Sequence, residues 1–235
     1  MPVPGGRIAL VAAAAATVAL AGAPSGFAGG TVASDFPAAG TLVVRTTIAR
    51  AKPSREARRL LVLHQFRRDF RWQVVLALGV ETGADGHPWY RVSLPMRPNN
   101  TIGWIPARSV KVRPTSHRIV VDRAKRTITV LHGSKTLLRG TVAVGASGME
   151  TPVGRYYVTA RFVPDDPFLG VFALETSAYS KLSEWPGGGV VGIHGTSRPD
   201  LLGQAVSHGC IRVSNATASR LRRLAPVGTP ITIVD

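Results

Sequence analysis

Ser207-His208-Gly209-Cys210-Ile211-Arg212 carries the only cysteine in 235 residues, with a histidine two positions before it and an arginine two after. Sixteen residues upstream, Gly192-Ile193-His194-Gly195 places a second histidine. A lone cysteine is most often a small buried hydrophobe, and lone histidines are satisfied polar groups. That reading leaves two glycines, an arginine and a second His-Gly without a purpose. Nucleophilic catalysis accounts for all of them. The thiolate is the reactive form of cysteine, and an imidazole or a positive neighbourhood favours it.

Two further segments stand upstream: Val144-Gly145, then Thr151-Pro152-Val153-Gly154. With Ile193-His194-Gly195-Thr196 and Ser207 to Arg212 they follow the order and spacing of an established set. The region from 116 to 235 resembles the L,D-transpeptidase (YkuD-like) catalytic domain, whose signature is S-H-G-C-[IV]-R. The resemblance implies Cys210 as nucleophile and His194 as the base that takes its proton and later returns it. It implies a carbonyl at Gly195 that orients the imidazole, and His208 as a site residue beside the thiol. The other reading of His208 is a buried structural histidine. Gly209 permits close backbone approach. N–H groups of Gly209 and Cys210 are candidate oxyanion donors, each typically worth a few kcal/mol. Arg212 is a candidate for a substrate carboxylate or a purely structural hydrogen bond. Ser207 is a supporting hydrogen bonder on the substrate side.

The activity implied is transpeptidation in peptidoglycan. Cys210 attacks the carbonyl of the third stem residue, a diamino acid, and D-Ala leaves. An amine from a neighbouring stem resolves the thioester into a 3→3 crosslink. Water as acceptor gives L,D-carboxypeptidase activity instead, and carbapenem-type β-lactams acylate the same thiol. No metal or organic cofactor is required. Two other readings stand beside it: a wall-binding protein with vestigial motifs, and a cysteine hydrolase of wall peptides.

The net charge of +16 predicts attraction to polyanions. One cysteine rules out an intramolecular disulfide and multi-cysteine zinc sites. Before Asp35 the only charge is Arg7, followed by an apolar, alanine-rich run from Ile8 to Ala21. With small residues at Ala21-Gly22-Ala23 and Gly26-Phe27-Ala28, residues 1–28 read as a secretory signal peptide. The run is shorter than the roughly 20 residues of a membrane span, with an uncleaved anchor as the alternative. Export points away from nucleic acid and toward an anionic cell-wall surface. A monomer is expected.

Gly29 to Gly40 reads as a linker. From Thr41 to 115, short β-like runs alternate with turn signals: Leu42 to Arg45, Trp72 to Leu78 bounded by Gly79, Trp89 to Leu94, and Gly103 to Pro106. The W-Y-R-V…G-W-I-P pattern resembles a bacterial SH3-like wall-targeting barrel. Within it, Arg50 to Arg71 holds eight basic residues against Glu56 and Asp69. This is either a solvated helix or loop, or a patch for anionic polymer. Trp89 and Trp104 divide between core and ligand groove. After a joint at Arg113-Pro114-Thr115-Ser116, strands are expected at 117–122, 126–131, 137–144 and 156–160. Asp165 and Asp166 belong to a solvated loop. Pro186 to Gly189 is a hinge before the strand that carries His194. Ser214 caps one short helix, ended by Gly228, and Ile231 to Val234 is the last strand. The fold class expected is mainly β: a small SH3-like barrel, then a β-rich YkuD-like catalytic domain with one or two short helices.

Overall fold

The computed structural model describes residues 1–2, 35–184 and 188–235. Residues 3–28 of the segment expected to be a signal peptide, residues 29–34 of the expected linker and Pro186-Gly187 of the expected hinge lie outside the described residues. Among those described, no helix is long and apolar enough to cross a membrane.

Seven antiparallel strands come first: β1 (Ala38–Leu42), β2 (Thr46–Arg50), β3 (Arg59–His64), β4 (Val74–Thr82), β5 (Pro88–Ser93), β6 (Ile102–Pro106) and β7 (Val110–Pro114). They form one sheet in the order β3-β2-β6-β5-β4-β1-β7. It is wrapped around a core of Leu42, Leu63, Val75, Val92, Leu94 and Ile105. Burying each aliphatic side chain contributes about 1.5–3 kcal/mol. Three expectations are corrected here. Ala38 to Gly40 belongs to β1 and not to a linker: a Cβ on Gly40 would sit 3.3 Å from Val75, so a small residue suits this middle strand. The expected strand from Leu42 to Arg45 stops at Leu42, and Val44 and Arg45 bend the chain instead of extending it. Gly79 does not end a strand but marks a register shift inside β4, where a bulge needs no side chain.

The Arg-rich segment is not a helix or loop throughout. β3 runs through it because Leu63 reaches the core while Thr47 pairs with it across the ladder. Lys52, Arg55, Arg58, Arg59, Arg68 and Arg71 are exposed around it. Trp89 is sealed in the interior, its Nε1 donating to Asp85 at 3.0 Å, whereas Trp104 is half-buried.

A two-residue connection leads to the second sheet. Its strands are β8 (His117–Asp122), β9 (Thr127–His132), β10 (Lys135–Gly145), β11 (Gly154–Phe162), β12 (Ala173–Tyr179), β13 (Val190–His194), β14 (Ala205–Ser207), β15 (Ile211–Val213) and β16 (Pro230–Val234), with one helix, α1 (Asn215–Leu224). The order is β14-β10-β15-β13-β12-β11-β16-β8-β9, and β10 also pairs with β9. The eleven-residue β10 makes this possible: its first half faces β9 and its second half faces β15 and β14. The sheet thus curls back on itself around Ile119, Ile128, Val158, Leu174, Ile193 and Ile211. Ala218, Leu221 and Ala225, spaced at three and four, turn one face of α1 into this core. Ser214 Oγ accepts the Thr217 N–H at 3.1 Å as N-cap, as its position suggested. The helix stops at Leu224, four residues before Gly228, which takes φ +87° in the following turn.

The two sheets meet through polar contacts. Asn99 and Tyr179 exchange two bonds, of 2.7 and 2.9 Å, as strand neighbours do. The sealed Tyr157 donates to the Val74 carbonyl at 3.2 Å. Arg67 pairs with Glu175 at 2.6 Å.

Candidate active site

β13 and β15 lie side by side and parallel, with Ile193 opposite Ile211 and His194 opposite Arg212. Side chains alternate along a strand, so these two isoleucines share one face and are buried in the core. The other face receives Gly192, His194, Cys210 and Arg212. The geometry bears this out. A Cβ built on Gly192 would lie 3.7 Å from His194 Cδ2 and 3.9 Å from Cys210 Sγ. Thiol and imidazole therefore flank one point on the sheet, although sixteen residues separate them in the chain.

His194 is 3% exposed, and its Nδ1 lies 2.6 Å from the Gly195 carbonyl oxygen. A carbonyl only accepts, so Nδ1 carries the hydrogen and Nε2 of the neutral ring keeps its lone pair. Gly195 is itself clamped. Its N–H donates to the Phe172 carbonyl at 3.1 Å. Asn215 at the start of α1 takes N–H bonds from Val171 (3.3 Å) and Thr196 (3.2 Å) and donates back to the Thr196 carbonyl. A Cβ on Gly195 would lie 2.2 Å from Asn215 Oδ1. The asparagine thus sets the position of the carbonyl that sets the ring.

Cys210 follows a tight turn. Ser207 Oγ accepts the Gly209 N–H at 3.2 Å and donates to the Cys210 carbonyl at 2.6 Å. Thr151 Oγ1 donates to the Gly209 carbonyl and accepts the Gly145 N–H, each at 2.9 Å. Gly209 has φ +116°, and a Cβ there would lie 2.8 Å from Ser180 Cβ, so glycine is required. Two expectations change. Ser207, 1% exposed, spends its hydroxyl on the turn and not on substrate. The Gly209 N–H is engaged by Ser207, which removes it as an oxyanion donor. The Gly192 N–H, by contrast, points at Cys210 Sγ from 3.4 Å. His208 stands exposed on the turn, so the buried structural histidine is excluded.

Arg212 is 7% exposed, its guanidinium carbon 4.6 Å from the centre of the Phe168 ring. Its Nε is buried without a hydrogen-bond partner among the described residues. The Phe168 ring also lies 6.5 Å from the His194 ring, at the site's edge. Asp166, on the same loop, caps the Phe168 N–H at 2.8 Å, so its carboxylate has a structural partner.

Burial pushes the His194 pKa below its ordinary 6.5, the Gly195 carbonyl working against this and the Arg212 charge adding to it. Burial pushes the Cys210 thiol above 9.0, against the Gly192 N–H and Arg212. At neutral pH the resting pair is therefore thiol and neutral imidazole, not an ion pair. A thiol in that state needs a base before it can act as a nucleophile, and His194 shares its face of the sheet.

A pH dependence follows. A group with a depressed folded pKa contributes stability that is present above its unfolded value and lost as pH falls through the folded one. Both the base form of His194 and its share of stability should thus persist at pH 6.5 and decline only below it. Rates of thiol acylation by a β-lactam across pH 5–8 check this. An acidic limb centred above 6.5 contradicts it.

Residues 116–233 match the family model for the L,D-transpeptidase catalytic domain. The putative L,D-transpeptidase YkuD of Bacillus subtilis is 33% identical over 118 residues, covering 50% of this chain and 65% of that protein. The chain thus spans just under two thirds of that relative. Among solved structures, Bd1075 of Bdellovibrio bacteriovorus is 25% identical with a TM-score of 0.42, covering 52% of this chain and 48% of that one. LdtMt1 in complex with imipenem is 18% identical with a TM-score of 0.43, covering 68% and 90%. The family model takes in both histidines, the cysteine turn and Asn215, which is to say every group built into the site above, and runs over half the chain; the chain belongs to the L,D-transpeptidase catalytic domain family.

Proposed function

We propose that this chain is an exported cysteine transpeptidase acting on peptidoglycan stem tetrapeptides. The observation that carries the reading is the shared face of β13 and β15. There a thiol and a neutral imidazole, its Nδ1 hydrogen held by the Gly195 carbonyl, flank Gly192. Cys210 Sγ bonds to the carbonyl carbon of the third stem residue as its proton passes to His194 Nε2. The C–N bond to D-Ala breaks, and His194 returns the proton to that amine. A thioester remains. An amine of a second stem then attacks it, releases the thiol and forms a 3→3 crosslink.

Arg212 adds positive charge beside the developing oxyanion, and its unpartnered Nε supports a role toward substrate. The first sheet serves as an SH3-like wall-targeting unit, its exposed arginines meeting anionic polymer. The N-terminal apolar run directs export.

The test is intact mass after incubation with meropenem, followed by products from a disaccharide-tetrapeptide. Wild type should gain one adduct and Cys210→Ala none, and wild type should convert the tetrapeptide to crosslinked dimer. No adduct on wild type, or an adduct surviving Cys210→Ala, defeats the reading. Tripeptide monomer without dimer replaces transpeptidation by carboxypeptidation.

A further inference from the structure

Beyond His64, β3 runs on into a hairpin whose sequence is Gln65-Phe66-Arg67-Arg68-Asp69-Phe70-Arg71-Trp72-Gln73. Phe66 and Trp72 face each other across it with ring centres 4.6 Å apart, and the Gln73 N–H closes its base on the Gln65 carbonyl at 2.9 Å. At the tip the Arg67 N–H donates to the Arg71 carbonyl at 2.8 Å, and the Phe70 N–H to the Arg67 carbonyl at 3.0 Å. A three-residue loop of this kind puts its last residue in the left-handed region, where glycine is the usual choice. Here that residue is phenylalanine, at φ +61°.

The ring gives the fold nothing in return for that strain, since Phe70 is 88% exposed. Phe66 and Trp72 are exposed beside it. A strained residue and a cluster of rings left in water both point to something outside the chain that covers them. The support beneath them is fixed. Arg67 Nη2 bonds to Glu175 of the second sheet at 2.6 Å, and Asp69 accepts the Arg71 N–H at 3.2 Å. Three exposed arginines accompany the rings: Arg68 and Arg71 on the hairpin, and Arg45, whose carbonyl accepts the Gln65 N–H at 2.9 Å.

We propose that this hairpin docks on a phospholipid bilayer with anionic headgroups, its three rings entering the interface while Arg45, Arg68 and Arg71 meet lipid phosphates. A soluble polyanion would engage the arginines and leave the rings in water. A bilayer takes both, because aromatic rings settle at its apolar boundary and arginines bind its headgroups. It also has no shape to match. None of the three rings lines the cleft of about 220 Å³ between the sheets; they stand on the end of a hairpin. The net charge of +16 adds attraction at longer range. Docking would also place the active site. The Arg71 guanidinium carbon lies 5.7 Å from the centre of the Phe162 ring. Phe162 opposes Ala173, and Ala173 opposes His194. Two strand spacings, roughly 10 Å, thus separate the backbone beneath Arg71 from that of the imidazole. A docked hairpin would hold this end of the sheet near the membrane surface.

Phosphatidylcholine vesicles with brominated acyl chains, made with and without phosphatidylglycerol, test this on the full chain. Residues 1–34 contain no tryptophan, so quenching of emission by bromine does not report the N-terminal apolar run. Anionic vesicles should quench wild type, and Trp72→Phe should remove most of that quenching. Phe70→Asn leaves the charge unchanged and installs a residue that accepts a positive φ. It should melt at or above the wild-type temperature, yet bind anionic vesicles at least about 10-fold more weakly, as expected for one phenyl ring no longer buried. Quenching that persists in Trp72→Phe, or Phe70→Asn binding as tightly as wild type, overturns the proposal. Equal binding to neutral vesicles does so too. Loss of binding in Phe70→Asn to isolated cell-wall polymer, but not to vesicles, would give the face to that polymer instead. None of these results bears on the thiol, so the acyl-transfer reading stands or falls separately.

Discussion

His194→Ala should lower the rate of Cys210 acylation by about 10²- to 10⁴-fold, the range that a positioned general base supplies. The thiol is not ionised at rest, because burial raises its pKa and the one N–H and one arginine near it do not outweigh that burial. Attack therefore needs an acceptor for the proton, and His194 shares the thiol's face of the sheet. His208→Ala should cost far less, since that ring stands exposed on the turn. Stopped-flow rates of β-lactam acylation compare the two, with thermal melts to confirm folding. Equal rates in wild type and His194→Ala would remove the base assignment. A larger loss at His208 would transfer it.

Gly192→Ala should separate activity from stability. The added methyl meets nothing closer than 3.5 Å, the Leu174 carbonyl, so the strand accepts it. Alanine even gains roughly 0.5–1 kcal/mol over glycine within a strand, through the entropy of the unfolded chain. The same methyl stands 3.7 Å from the imidazole and 3.9 Å from the sulfur, in the space that the proposed attack assigns to the acyl carbon. An error of about 1 Å in a reacting position can cost around 100-fold. The expected result is a melting temperature unchanged or slightly raised, with acylation slower by about that factor. A variant that acylates at the wild-type rate would show that substrate approaches Cys210 from another side.

The parts of the site that are adjacent in sequence were legible there. Cys210 with its glycine, and His194 with Gly195, are local pairs, and their chemistry depends on residue type. The cap at Ser214 was legible for the same reason, because side chain and backbone within three residues decide it. β12 was not legible. Leu174 and Ala178 enter the core while Thr176 and Ser177 are buried by other neighbours, so no alternation of apolar and polar residues remains to signal a strand. The Arg-rich stretch misleads in the opposite sense, since its charge count hides one buried leucine, Leu63, that makes β3 a strand.

Composition and motif thus carried the β-rich class and the family, and singled out Cys210 and His194 as candidates, because each is a property of residues or of close neighbours. Folding alone put Asn215 against Gly195, gave the Gly209 N–H to Ser207, and set Glu175 beside Gly192 and within reach of Arg67. Those contacts join residues up to 108 positions apart. Strand order and register create them, and neither is written in any short stretch of chain.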